Sequence, residues 1–68
     1  MASRVEGEWV RMFVNRSKES REAYDILVRA GAYVTTIIIN NIPKPEARID
    51  RDVYKGLEEI TKLCKQAT

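Results

Sequence analysis

The 68-residue chain contains no histidine and only one cysteine, Cys64. One thiol cannot close a disulfide within the chain, so a covalent staple is excluded. The usual zinc ligand sets need several Cys or His residues, and none is present. Ser-His and Cys-His nucleophile pairs are excluded with the imidazole. Long apolar runs are missing as well. The longest, Ala32 to Ile39, is interrupted by Thr35 and Thr36 and falls far short of the ~20 residues of a membrane helix. The opening Met1-Ala2-Ser3-Arg4 lacks the apolar segment of a signal peptide. These absences lead us to expect a cytoplasmic protein with no membrane contact, no metal and no cofactor. The net charge of +2 is too small to argue by itself for nucleic acid. A chain near 60 residues buries only about 60% of the surface its unfolded form exposes, and such folds recruit disulfides, metals or a partner subunit. With two of these removed, an economical fold or an oligomer remains.

What is present organises into six elements. Residues 1–8 are polar and are expected as a flexible lead-in, with a single domain over residues 9–68. Trp9 to Val14 reads as a strand with bulky residues on both faces, Trp9, Arg11 and Phe13 on one and Val10, Met12 and Val14 on the other. A strand apolar on both sides belongs in the middle of its sheet. Asn15 to Ser20 opens a helix, with Ser17 as N-cap and Glu19 and Glu22 complementing the helix dipole. Ala23, Ile26, Leu27 and Ala30 form its apolar stripe, and Gly31 stops it. Tyr33 to Ile39, rich in β-branched residues, reads as a second strand, parallel to the first. Asn40 to Pro45 is a rigid connector. Ala47 to Tyr54 is a hairpin turning at Asp50-Arg51-Asp52, and a last helix begins near Gly56 with Leu57, Ile60, Leu63 and Cys64 on its apolar side.

This order resembles the thioredoxin fold in its short, glutaredoxin-like form. The place of the family's Cys-x-x-Cys, after the first strand, holds Ser17-Lys18-Glu19-Ser20. Ala30-Gly31-Ala32 matches the glycine that closes the first helix. Pro45 to Arg51 matches the proline, usually cis, and the hairpin after it, and Tyr54 to Glu59 matches the glycine turn into the closing helix. The likeness covers Val10 to Leu63. It implies an α/β (α+β) fold: a minimal β-α-β-β-β-α chain with a four-stranded mixed sheet and two helices on one face. The deciding point is whether the third strand pairs with the first, as the resemblance implies, or with the second.

Two departures shape the functional reading. The family's helix between the second strand and the proline is absent, so one sheet face is left partly bare. That face carries either Trp9 and Phe13 or Val10 and Met12, which makes these four the candidate homodimer residues. In addition, Ser17 and Ser20 replace both redox cysteines, and a serine hydroxyl neither ionises readily nor forms a disulfide. Cys64 reads as a small buried hydrophobe.

Arg16, Lys18 and Arg21 cluster at the helix start with Ser17 and Ser20, and Lys44 and Pro45 are expected nearby. Together they suit an anion or an extended peptide. The plain alternative is a capped helix whose cations pair at i, i+4, as Lys18–Glu22 and Arg21–Asp25. Asp50, Asp52, Glu58 and Glu59 stand where carboxylates ordinarily stand in turns and first helical turns, so no catalytic residue is assigned. The leading expectation is a redox-inactive, homodimeric binding module with a protein or peptide partner. One alternative is a small nucleic-acid-binding protein using Arg11, Arg16, Lys18, Arg21, Arg48 and Arg51 on one surface. Another is a thiol oxidoreductase whose two cysteines have been replaced by serine.

Overall fold

The computed structural model of the protein describes residues 5–65. Its elements are β1 (Trp9–Val14), α1 (Lys18–Arg29), β2 (Tyr33–Ile38), β3 (Glu46–Ile49), β4 (Asp52–Lys55) and α2 (Gly56–Lys65). The four strands form one sheet in the order β2-β1-β3-β4. β1 pairs parallel with β2, while β1–β3 and β3–β4 are antiparallel. The third strand therefore lies against the first, across β1 from the strand that precedes it. This is the thioredoxin-like arrangement in minimal form, with β1 central as its two-sided apolar pattern requires.

Alternation along β1 decides which side the helices cover. Val10 and Met12 are buried, and they join Ala47 of β3, Ala23 and Leu27 of α1, and Ile60 and Leu63 of α2 in the core. Both helices thus cover one sheet face. Of the two possible bare faces, the one left open carries Trp9 and Phe13. Val10 and Met12 are not on it, because they are the residues the helices need.

Residues 5–8 also differ from expectation. Residues 1–4 lie outside the described residues, but Val5 is fully buried in the core and residues 5–7 form a turn. The Gly7 amide donates to Gly31 O at 3.0 Å and the Glu8 amide to Val5 O at 3.0 Å. This segment is therefore docked on the α1–β2 corner. One valine among polar neighbours carries no periodic signal, so only its tertiary contacts reveal it.

Helix α1 begins and ends as its sequence dictates. Ser17 is the N-cap and accepts from the Ser20 amide. At the other end Gly31 adopts φ +89°, and the Gly31 and Ala32 amides bond to Val28 O and Leu27 O at 3.1 and 3.2 Å. Two of the last carbonyls of the helix are thereby satisfied. The expected Arg21–Asp25 pair does not form. Asp25 instead meets Arg29 at 3.1 Å, the orientation with the acid N-terminal to the base that suits the helix dipole.

Pro45 is buried at the start of β3. The described residues contain no cis peptide bond, so Lys44–Pro45 is trans, the form ordinarily favoured by about 0.5–1 kcal/mol. The Pro45 carbonyl accepts from the Gly56 amide at 2.7 Å. Gly56 itself has φ +84°, and a Cβ there would stand 3.2 Å from Lys44 Cδ. Both the backbone and the neighbouring stem therefore favour glycine. Gly56→Ala is expected to lower stability by about 1–2 kcal/mol from the left-handed backbone alone, read as a shifted midpoint in urea denaturation.

Candidate functional site

The site lies where β1 runs into α1. Asn15 leaves the strand and its side chain folds over the helix start as an Asx turn. Its Oδ1 accepts from the Ser17 amide at 3.1 Å, from Ser20 Oγ at 2.6 Å and from Ser17 Oγ. Ser17 Oγ in turn accepts from the Ser20 amide at 3.2 Å, and Ser20 Oγ from the Asn15 amide at 3.1 Å. The two hydroxyl oxygens stand 3.3 Å apart. Each hydroxyl thus donates inward and accepts a backbone amide, and no buried side-chain polar atom among the described residues lacks a partner. The turn from β1 into α1 is thus a closed hydrogen-bonded knot.

Along the chain Asn15 is legible only as a turn residue. The signal that could single it out is its spacing, two residues before an N-cap serine. Its Nδ2 also donates to Ile42 O at 2.9 Å, which ties the connector between β2 and β3 to the helix start. Glu19 has a further role that its own helix does not disclose. Its Oε2 accepts from the Leu57 amide at 2.9 Å, so a first-turn carboxylate of α1 caps the N-terminus of α2.

An open cleft of about 440 Å³ sits beside the knot, on the β2 side, between Val14, Arg16, Arg21, Tyr24, Thr36 and Ile38. Arg16, Lys18 and Arg21 are exposed, and among the described residues no carboxylate lies within ion-pair distance of them. The structure therefore brings Arg16, Ser17, Ser20 and Arg21 together. It does not bring Lys44 and Pro45 into the same cleft. The Lys44 stem lies over Gly56 beside the Glu19 carboxylate, on the α2 side, because Glu19 and Gly56 form the floor there.

The six basic residues of the nucleic-acid alternative are divided among several places. Arg11 and Arg48 are cross-strand partners on the open sheet face, while Arg16, Lys18 and Arg21 surround the start of α1 and Arg51 sits in the β3–β4 turn. Arg48 is also engaged. Its guanidinium lies 4.7 Å from the centre of the Phe13 ring and its Nε is 2.8 Å from Glu46 Oε2, which offsets the like charge of Arg11. On the same face the Trp9 and Tyr33 rings are 5.1 Å apart and tilted by 31°, and Trp9 is 75% exposed.

Cys64 is half-buried on α2 against the core, and burial pushes its thiol pKa above the ordinary value. Among the described residues no group of His, Cys, Asp and Glu could hold a metal ion, and no helix is long and apolar enough to cross a membrane. No family model, curated protein or solved structure matches the chain. Topology and site geometry therefore define it as a thioredoxin-like domain without a cysteine pair.

The knot and the thiol can each be tested. Asn15→Ala strands the hydroxyls of Ser17 and Ser20 and is expected to cost about 1–3 kcal/mol. Asn15→Asp keeps the Oδ1 acceptor but sets a second acceptor against Ile42 O where Nδ2 donates, so thermal unfolding is expected to place it between Asn15→Ala and the original chain. Alkylation of Cys64 by iodoacetamide at pH 8 is expected to run slower than that of a free cysteine thiol, since the folded chain holds less thiolate. The two rates converge in denaturant.

Proposed function

We propose that the protein is a redox-inactive interaction module that works as a homodimer and holds an acidic group, on an extended peptide or as a free anion, at the α1 start. The observation that carries this reading is the knot of Asn15, Ser17 and Ser20. It occupies the position of a thiol pair with groups that neither ionise nor exchange disulfides, yet keeps the helix start and its basic surround intact. Arg16, Lys18 and Arg21 are left without carboxylate partners among the described residues, and the positive end of α1 adds to their field. Lys44 and Pro45 support the neighbouring wall through Gly56 rather than the anion directly. The bare sheet face with Trp9 and Phe13 supports self-association, since exposed apolar surface on a small domain marks an interface.

The redox arm of the test uses insulin reduction. The chain is expected to show no activity, whereas Ser17→Cys/Ser20→Cys, built on oxygens 3.3 Å apart, is expected to gain a reducible disulfide. Turnover by the original chain overturns the inactive assignment. The binding arm titrates a glutamate-rich peptide and, separately, inorganic phosphate while following the Ser17–Arg21 amides by NMR. Arg16→Ala and Arg21→Ala are each expected to weaken binding by about 0.5–1 kcal/mol, roughly two- to fivefold, and added salt to weaken it further. Unmoved amides with both probes overturn the anion site.

A further inference from the structure

We propose that the free edge of β2 is the seam of a symmetric homodimer, in which two copies of β2 pair antiparallel and join their sheets into one. The proposal rests on the homodimer of the preceding reading but moves its contact from the Trp9 and Phe13 face to the β2 edge that borders it.

The backbone shows what is available to pair. Tyr33 N–H donates to Glu8 O at 2.9 Å and Ile39 N–H to Val14 O at 2.7 Å. Odd-numbered residues of β2 therefore turn their amides and carbonyls toward β1. Because direction alternates along a strand, Val34, Thr36 and Ile38 turn theirs outward, on the side where β2 has no neighbouring strand among the described residues.

The two edges of the sheet are not alike. β4 is four residues long and carries Asp52 and Lys55 at its ends, the kind of short, charged edge that resists pairing. β2 is six residues long, Tyr-Val-Thr-Thr-Ile-Ile, with neither charge nor proline in a chain that is 32% charged. Exposed apolar side chains gather around the same edge. Among the described residues, the exposed large hydrophobics Tyr24, Val28, Tyr33, Ile37 and Ile38 all lie on β2 or on α1, and only Trp9 and Val53 lie elsewhere. Tyr24 lines the cleft with Thr36 and Ile38, and Val28 stands one helical turn later on the same side.

A second copy fits this strip better than an unrelated strand because the strip matches itself. Antiparallel pairing about a two-fold axis at Thr36 sets Thr36 opposite Thr36 of the second copy, and Val34 opposite Ile38 in both directions. Every outward amide and carbonyl of Val34, Thr36 and Ile38 then meets its counterpart, and no like charges meet on the strands. Tyr24 and Val28 of the two α1 helices flank the junction on one face, and Tyr33 and Ile37 on the other. Since each chain uses the one unprotected edge among its described strands, the pairing closes at two copies.

The test begins with the chain as it is. Analytical ultracentrifugation over a wide concentration range is expected to show a monomer–dimer equilibrium. Amide hydrogen exchange is expected to show protection of Val34, Thr36 and Ile38 that grows with the dimer. Thr36→Lys and Thr36→Glu each place like charges face to face on the axis, so each alone is expected to lose the dimer, while an equimolar mixture regains it. A dimer whose Val34, Thr36 and Ile38 amides exchange as in the monomer overturns the seam but leaves the homodimer standing. A mixture that stays monomeric overturns the Thr36-centred register. A chain that is monomeric throughout overturns both the seam and the homodimer.

Discussion

Met12 at the middle of β1 and Leu27 and Ile60 on the two helices are among the largest side chains fully withdrawn from water, and the molecule depends on that single helix-on-sheet layer. A chain of 68 residues has material for one such layer. Burying apolar area is the main favourable term in folding, so both helices are committed to the same side of the sheet. The two faces of the sheet are unequal as a result. One face is packed to zero exposure at Met12 and Ala47, and the other presents Trp9, Tyr33, Phe13 and Arg48 to solvent or to light mutual contacts. The capping chemistry serves the same layer. Glu19 of α1 accepts from the first turn of α2 at the Leu57 amide, and Gly56 brings that helix in through a backbone shape that glycine adopts without strain.

The knot at the start of α1 is a polar solution to a local problem. A helix N-terminus leaves amides without partners, and a half-buried strand-to-helix turn cannot leave them all to water. Asn15, Ser17 and Ser20 satisfy one another and the backbone with no ionised group. The same residues that make the turn stable carry no charge, and among the described residues no carboxylate lies within ion-pair distance of the cations around it. Hydrogen-bond satisfaction and charge therefore lie on different atoms at one place: the hydroxyls bond internally, and the charges face outward.

Much of the fold is legible along the chain. The stripe Ala23, Ile26, Leu27 and Ala30, the N-cap at Ser17, the stop at Gly31 and the hairpin at Asp50–Arg51 are all local signals, and each element forms where its signal stands. Asp50 takes φ +53°, as short polar residues in tight turns do. Less is legible at the site. In sequence Asn15 looks like an ordinary turn residue, Glu19 like a dipole partner of its own helix, and Val5 like part of a loose polar lead-in. Each acts on a segment distant in sequence or outside any periodic pattern. Lys44 illustrates the reverse error. Proximity in a family pattern sets it near the serines, whereas the Gly56 corner draws its stem to the other side.

Element order, helix limits, the central place of β1 and the lack of a cysteine pair are all written in the chain, because they depend on side-chain period, capping groups and residue identity. The same pattern shows that β1 has two apolar faces but not which face the helices take. Packing in three dimensions sends Val10 and Met12 inward and leaves Trp9 and Phe13 outside. It also lets α1 cap α2, and makes β2 rather than β4 the unprotected edge. Those outcomes depend on which elements become neighbours in space, and a single layer of helices can satisfy only one side of a two-sided strand.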